Sequence, residues 1–223
     1  MKARLVGYTQ PSVDFGDTFY NVQDLIAYCA RVSNPSNQMN NETGEKLIRY
    51  LVKHKHWSPL EMASATMEVE TTRDIARQLL RHRSFSFQEF SQRYADPTQD
   101  MESVFVPRKA RLQDPKNRQN SVITDYMALQ NTWLVHQNAV WQRAMDAYKW
   151  AIDNGIAKEQ ARAVLPEGNT LSRLYVNGTL RSWVHYIELR SANGTQLEHI
   201  HLAKACAEAI TKIFPMAGEF IND

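Results

Sequence analysis

Cysteine is nearly absent from this 223-residue chain: Cys29 and Cys206 are its only two, and they form no CxxC pair. A framework of disulfides is therefore excluded, and a reducing compartment fits. Cys29 falls on the apolar stripe Val22, Leu25, Ile26, Cys29, and Cys206 sits among alanines, so both read as small core residues. Long apolar runs are missing too. Nothing approaches the ~20 residues of a membrane span, and the opening MKARLVGYTQ lacks the apolar centre of a signal peptide. The expectation is a cytoplasmic protein. Charge of one sign is also lacking: 26 Lys and Arg against 24 Asp and Glu leave +2. No global field would steer the chain onto nucleic acid or an anionic membrane, so any phosphate affinity must be local.

What is present is an ordinary globular balance, 43% hydrophobic and 22% charged. The length suits one domain over residues 1–223, burying roughly 70% of the surface of the unfolded chain. Apolar residues recur at helical spacing over 22–32, behind Asn21 as N-cap, and over 44–54 behind Thr43. Between 61 and 70 the period becomes strictly two, with Ala63, Ala65, Met67 and Val69 on one side, which predicts a half-buried strand. Helical spacing returns through Ile75, Ala76, Leu79 and Leu80 to about Arg83. Residues 96–120 read as a long surface excursion and 168–179 as a loop. Helices are predicted over 121–153, 158–165, 179–191 and 195–214, the last opened by a capping box from Thr195 to Glu198. About six helices with few strands give an α+β fold: a small mixed or antiparallel sheet flanked by several long helices.

Arg73, Arg77 and Arg81 follow one another at i, i+4, i+8, with His82 and Arg83 beyond them and only Asp74 nearby. Like charges at that spacing repel by a few tenths of a kcal/mol per pair. Consistent use of Arg rather than Lys points to planar, bidentate recognition, and a phosphate would relieve the repulsion. The competing reading is a solvated face whose arginines pair with acids elsewhere. SFSFQEFSQRY at 84–94 then alternates Phe85 and Phe87 against small polar residues, predicting an extended segment that presents Gln88, Glu89, Ser91 and Arg93.

The string RHRSFSFQEFSQRY sets seven residues between Arg81-His82-Arg83 and Ser91 and follows Ser91 with Arg93 and Tyr94. This resembles the signature of the flavin-dependent thymidylate synthases. ARVS at 30–33, HKHWSPLE at 54–61, ARAVLP at 161–166 and NGTLRSWVHYIELR at 177–190 match in the same order. The resemblance implies a homotetramer with shared active sites that binds FAD, dUMP, methylenetetrahydrofolate and NADPH. For FAD it implies Ser58, Arg81, His82, Arg83, Glu89, Asn177, Thr179, Arg181 and His185, with His56 near the flavin. For dUMP it implies Gln78, Arg81, Glu89, Ser91, Arg93, Arg162 and Arg190, the phosphate falling mainly to Ser91, Arg93 and Arg162. Met62, and Asn193 with Gly194, stand where many members of that family carry a histidine.

Chemistry narrows the roles. Carbon 5 of uracil needs electron density pushed into the ring, which a thiolate could supply, yet neither cysteine has cationic sequence neighbours to lower its pKa. Ser91 has no adjacent His or Lys to activate it, so phosphate binding suits it better than nucleophilic attack. Arg190 is the expected catalytic residue; a guanidinium is no base, and it would stabilise the anionic ring. His54/His56 and His199/His201 are spaced i, i+2 without a third ligand, which argues against zinc. The tryptophans at 133, 141 and 150 read as core or subunit contacts. Two rival classes stay open: a nucleic-acid-binding module using the Arg-rich segment 73–93, and an arginine-rich assembly surface without catalysis.

Overall fold

The alternation over 61–70 forms β2, Ser64–Thr72, in a computed structural model that describes residues 1–19, 21–101 and 104–221. β2 is central in a four-stranded antiparallel sheet with β1 (Lys2–Tyr8), β6 (Leu171–Thr179) and β3 (Ser86–Glu89), in the order β1-β2-β6-β3. Ala65, Met67 and Val69 point inward and are fully buried with Leu174 and Val176 of β6. The outward faces carry matched polar pairs across the register: Arg4 and Glu68 at 2.9 Å, Tyr175 Oη donating to Glu68 at 3.0 Å, and Asn177 Nδ2 donating to Thr66 at 2.6 Å. Such cross-strand pairs fix the register that the apolar face alone leaves degenerate by two residues.

Helices cover the apolar face. α1 (Val22–Ala30) is capped by Asn21, whose side chain accepts from the N–H groups of Gln23 and Asp24, and packs on α2 (Gly44–Lys53). α3 (Arg73–Leu79) follows β2 without a loop, and a one-turn α4 (Pro97–Asp100) comes after β3. α7 (Leu180–Ser191) follows β6 and pairs with α8 (Leu197–Thr211). Between them lie a hairpin of β4 (Arg111–Gln113) and β5 (Ser121–Ile123), the long α5 (Met127–Asp153) and the single turn α6 (Lys158–Ala161). Trp183 is fully buried in the main core and donates its indole N–H to the Ala65 carbonyl at 3.1 Å.

The α+β class with a small antiparallel sheet is as expected, and five local expectations change. Residues 168–179 are largely strand, since β6 runs from Leu171 to Thr179. α3 stops at Leu79, so Arg81 lies in the turn after it and shares no helix face with Arg73 and Arg77. The helix predicted from 121 begins at Met127, because Ser121–Ile123 pair with β4. The capping box does not form: Thr195 Oγ1 donates to Leu189 O, and Glu198 is held by Arg111. Of the two cysteines Cys206 is buried, whereas Cys29 is only half-buried.

The excursion over 96–120, whose residues 102 and 103 lie outside the described residues, is fastened to α5. Gln137 accepts from Arg108 N and donates to Arg108 O, both at 2.8 Å, and Gln130 does the same for Ala110 at 2.8 and 2.9 Å. Each glutamine thereby acts as a short strand partner for irregular backbone that would otherwise lack one. Along α5 only Gln137, Ala144, Tyr148 and Ala151 are buried, while Trp133, Leu134, Val135, Val140 and Trp150 face outward.

Candidate active site

The turn after α3 alternates its side chains: Arg81 and Arg83 are exposed, and His82 between them is tucked inward. Gly178 makes this packing possible. A Cβ there would come within 2.3 Å of the Phe85 ring, which lies against Trp183 with centroids 4.5 Å apart. Phe85 N–H donates to His82 O at 3.1 Å, and Ser182 Oγ reaches Ser84 O, so the first turn of α7 carries the 82–85 backbone.

His82 faces Arg190 on the last turn of α7, where Arg190 Nε donates to His82 Nε2 at 2.9 Å. A guanidinium can only donate, so His82 must be neutral with its proton on Nδ1. Burial, aided by the charge of Arg190, lowers its pKa to about 4, in keeping with that state. Tyr186, fully buried, lies edge-on to His82 at 5.1 Å, and its phenol is held protonated by burial. Gln78 lies close by in sequence: its Oε1 meets His199 Nδ1 at 3.1 Å and its Nε2 donates to Gln196 at 2.9 Å.

A second group gathers where the end of β3 meets α6. The Ser91 hydroxyl oxygen accepts from Arg93 N–H at 3.4 Å, Arg93 pairs with Glu159 at 3.5 Å, and Lys158 donates to Tyr94 O at 3.0 Å. Arg162, one turn beyond Glu159, opens the short 3-10 helix Arg162–Val164. Ser91 and Arg93 thus lie against α6, the element that Arg162 follows. Glu89 is largely committed already, accepting from Ser172 Oγ at 2.9 Å and lying 3.5 Å from Arg73.

A third group flanks the start of α7. Thr179 caps that helix, accepting from Ser182 N–H at 3.3 Å, and Asn177 sits on the outer face of β6. Arg181 is paired with Glu61, and His185 lies edge-on to Trp57 at 4.4 Å, its pKa lowered by burial and by Arg181. Ser58 is exposed at the start of the 3-10 helix Ser58–Met62. His56 is exposed beside His54, its ring 6.3 Å away, after a left-handed Lys55.

The arginine row divides in two. Arg73 lies within 3.5 Å of both Glu89 and Glu167, and Arg77 pairs with Glu167 at 3.2 Å, so the helical members are neutralised within the chain. That corrects the expectation of a phosphate-binding helix face and removes most of the tracker that a nucleic-acid-binding module would need. Among the described residues, Arg81, Arg83, Arg162 and Arg190 reach no carboxylate. These four site arginines lie at turns and element ends, which sequence periodicity could not single out. Sequence reasoning also missed His199 and Tyr186, which have no local signal. Two cavities lie elsewhere: one of about 630 Å³ between β1 and α8, and one of about 470 Å³ between the β4–β5 hairpin and the α7–α8 turn.

Fold and site together define a class: an α+β protein whose cation-lined centre lies between the α3–β3 turn and the last turn of α7. Residues 17–216 match the family described as thymidylate synthase complementing protein. A probable flavin-dependent thymidylate synthase of Paramecium bursaria Chlorella virus 1 is 50% identical over 222 residues, covering 100% of this chain and 99% of that one. The flavin-dependent thymidylate synthase of Synechocystis is 44% identical over 216 residues, covering 96% of each. Among solved structures, the UMP/dUMP methylase PolB of Streptomyces cacaoi bound with 5-Br dUMP superposes with a TM-score of 0.79 at 27% identity, covering 98% of this chain and 93% of PolB. The chain belongs to the flavin-dependent thymidylate synthase family.

Proposed function

We propose that this protein is a flavin-dependent thymidylate synthase, methylating dUMP reductively to dTMP with methylenetetrahydrofolate as carbon donor and NADPH as reductant of FAD. Membership of the family supports the activity, and the observation that carries the site assignment is the His82–Arg190 contact, flanked by Arg81 and Arg83, which reach no carboxylate. Their chemistry fits the two anionic ligands: Arg81 and Arg83 on the exposed turn suit a dinucleotide pyrophosphate, with Ser58, His56, Asn177, Thr179, Arg181 and His185 around it. FAD, when bound, supplies the redox chemistry.

The rest falls to the chain. Ser91, Arg93 and Arg162 hold the substrate phosphate through charge-assisted hydrogen bonds. Gln78 and Arg190 meet the pyrimidine. Arg190 is tethered through Nε, which leaves both Nη nitrogens to donate to a ring carbonyl and to stabilise negative charge that develops there. No cysteine can take the part of a thiolate nucleophile, because burial raises the pKa of both Cys29 and Cys206.

The outward tryptophans and aliphatic residues of α5 support a homotetramer, in which they bury against a second copy. The same reading places the chain in the cytoplasm as one functional domain. Arg190→Ala tests the assignment: the variant should stay folded and yellow with FAD while losing at least a hundredfold in dTMP formation, the scale of one missing oxyanion donor. Full activity in that variant would remove Arg190 from the reaction.

A further inference from the structure

Five side chains from distant parts of the chain form one hydrogen-bonded line. Arg111 of β4 donates to both oxygens of Glu198, at 2.6 and 2.9 Å. Gln196 Nε2 donates to Glu198 at 3.0 Å, Gln78 Nε2 donates to Gln196 Oε1 at 2.9 Å, and Gln78 Oε1 meets His199 Nδ1 at 3.1 Å. His199 is completely buried, and its Nε2 has no hydrogen-bond partner.

The direction of this line follows from its first member. A carboxylate can only accept, so the end of Gln196 that faces Glu198 must be the NH2 group, which leaves its oxygen toward Gln78. That oxygen in turn requires the NH2 of Gln78, whose own oxygen is then left for His199. His199 must answer with a proton on Nδ1. Reversing Gln78 would set two oxygens against each other at one end, so both amides have a single orientation, fixed from Glu198 at one end and His199 at the other. Arg111 secures the starting point, bringing the Glu198 carboxyl down to about 2 against the opposing effect of burial.

We propose that His199 is a positioning residue: it locks the Gln78 carboxamide so that an N–H, and not a carbonyl oxygen, is the group offered to the pyrimidine. This rests on reading Gln78 as a dUMP contact. A locked donor suits the carbonyls on either side of the uracil N3–H and disfavours cytosine, which carries an amino group in place of one carbonyl. A freely turning carboxamide would serve both bases.

The test compares His199→Leu, His199→Asn and Glu198→Gln with wild type, reading FAD absorbance, KM and kcat for dUMP, and inhibition by dCMP. Loss of one hydrogen bond's worth of orientation corresponds to about a threefold to tenfold change. His199→Leu should retain FAD, raise KM for dUMP by that factor with a smaller change in kcat, and bind dCMP better relative to dUMP. His199→Asn, whose amide N–H can occupy the place of Nδ1–H, should restore both values. Glu198→Gln keeps shape but removes the fixed polarity, and should loosen dCMP discrimination in the same way; it decides the matter should His199→Leu not fold. Unchanged KM and unchanged dCMP discrimination in the folded variants overturn the proposal, as does a KM rise that Asn does not reverse. Wild-type protein that retains FAD but binds no dUMP overturns the reading beneath it instead.

Discussion

Acidification should unfold this protein well before most of its carboxylates are protonated, and His199 should account for the largest single share. The ring is fully buried, and burial, with smaller contributions from Arg190 and His82, lowers its pKa from 6.5 to about 3. An unfolded chain takes up the proton below pH 6.5, while the folded chain resists until about pH 3. Stability is therefore complete above that window and falls as the pH drops through it, by ~1.4 kcal/mol per pH unit for one proton. Across the window the loss is on the order of 5 kcal/mol, a large part of the ~5–15 kcal/mol that holds a typical domain together. His82 acts with the same sign between 6.5 and about 4. Glu198 adds only below its ordinary 4.5, since its carboxylate is retained down to about 2. Urea melts from pH 7 to pH 4 at one fixed protein concentration would measure this, because self-association shifts apparent stability by mass action. Near pH 5 unfolding of wild type should take up close to two protons from these rings, and His199→Asn close to one. An identical slope in the variant would refute the argument that burial of His199 drives the acid sensitivity.

Gly178→Ala should cost about 1–3 kcal/mol, because the new methyl meets the Phe85 ring, and should lower FAD occupancy through the displaced 81–84 turn; thermal melts and flavin absorbance check both. Arg162→Ala should raise KM for dUMP by about tenfold to a hundredfold, the scale of a lost charge-assisted bond to phosphate. Arg77→Ala, whose partner Glu167 is as exposed as itself, should change stability by less than ~1 kcal/mol and KM little. Arg111→Ala should destabilise the protein by ~2 kcal/mol, since it strands the Glu198 carboxylate, and should speed proteolysis within 111–123.

Legibility in the sequence followed how local the determining interaction is. β2 was readable because one face carries Ala63, Ala65, Met67 and Val69 without a break. β6 pairs with it along its whole length, yet its inward positions include Ser172 and Gly178, and the second is dictated by a phenylalanine from the turn before β3. The end of α3 was misplaced because Leu79 and Leu80 continue the apolar stripe, while the chain must turn there to bring β3 onto β6. Within the site, the motif around Arg81-His82-Arg83 and Ser91 was visible as spacing. Which arginines are free was not, since Arg77 is neutralised by a glutamate 90 residues away. The Gln78–His199 contact spans 121 residues and has no periodic signature. Thr195 and Glu198 looked like a helix cap, but Glu198 is turned toward an arginine of the hairpin and the Thr195 hydroxyl toward Leu189 O.

On the function proposed above, Arg81, Arg83, Arg162 and Arg190, the last tethered by a neutral histidine, hold dUMP beside a flavin. Incubating the purified yellow protein with dUMP, methylenetetrahydrofolate and NADPH and measuring dTMP tests it most directly. The expected result is dTMP formation with turnover that depends on all three compounds. A colourless protein that forms no dTMP when supplied with FAD, and whose affinity for nucleic acid falls steeply with salt, would contradict it.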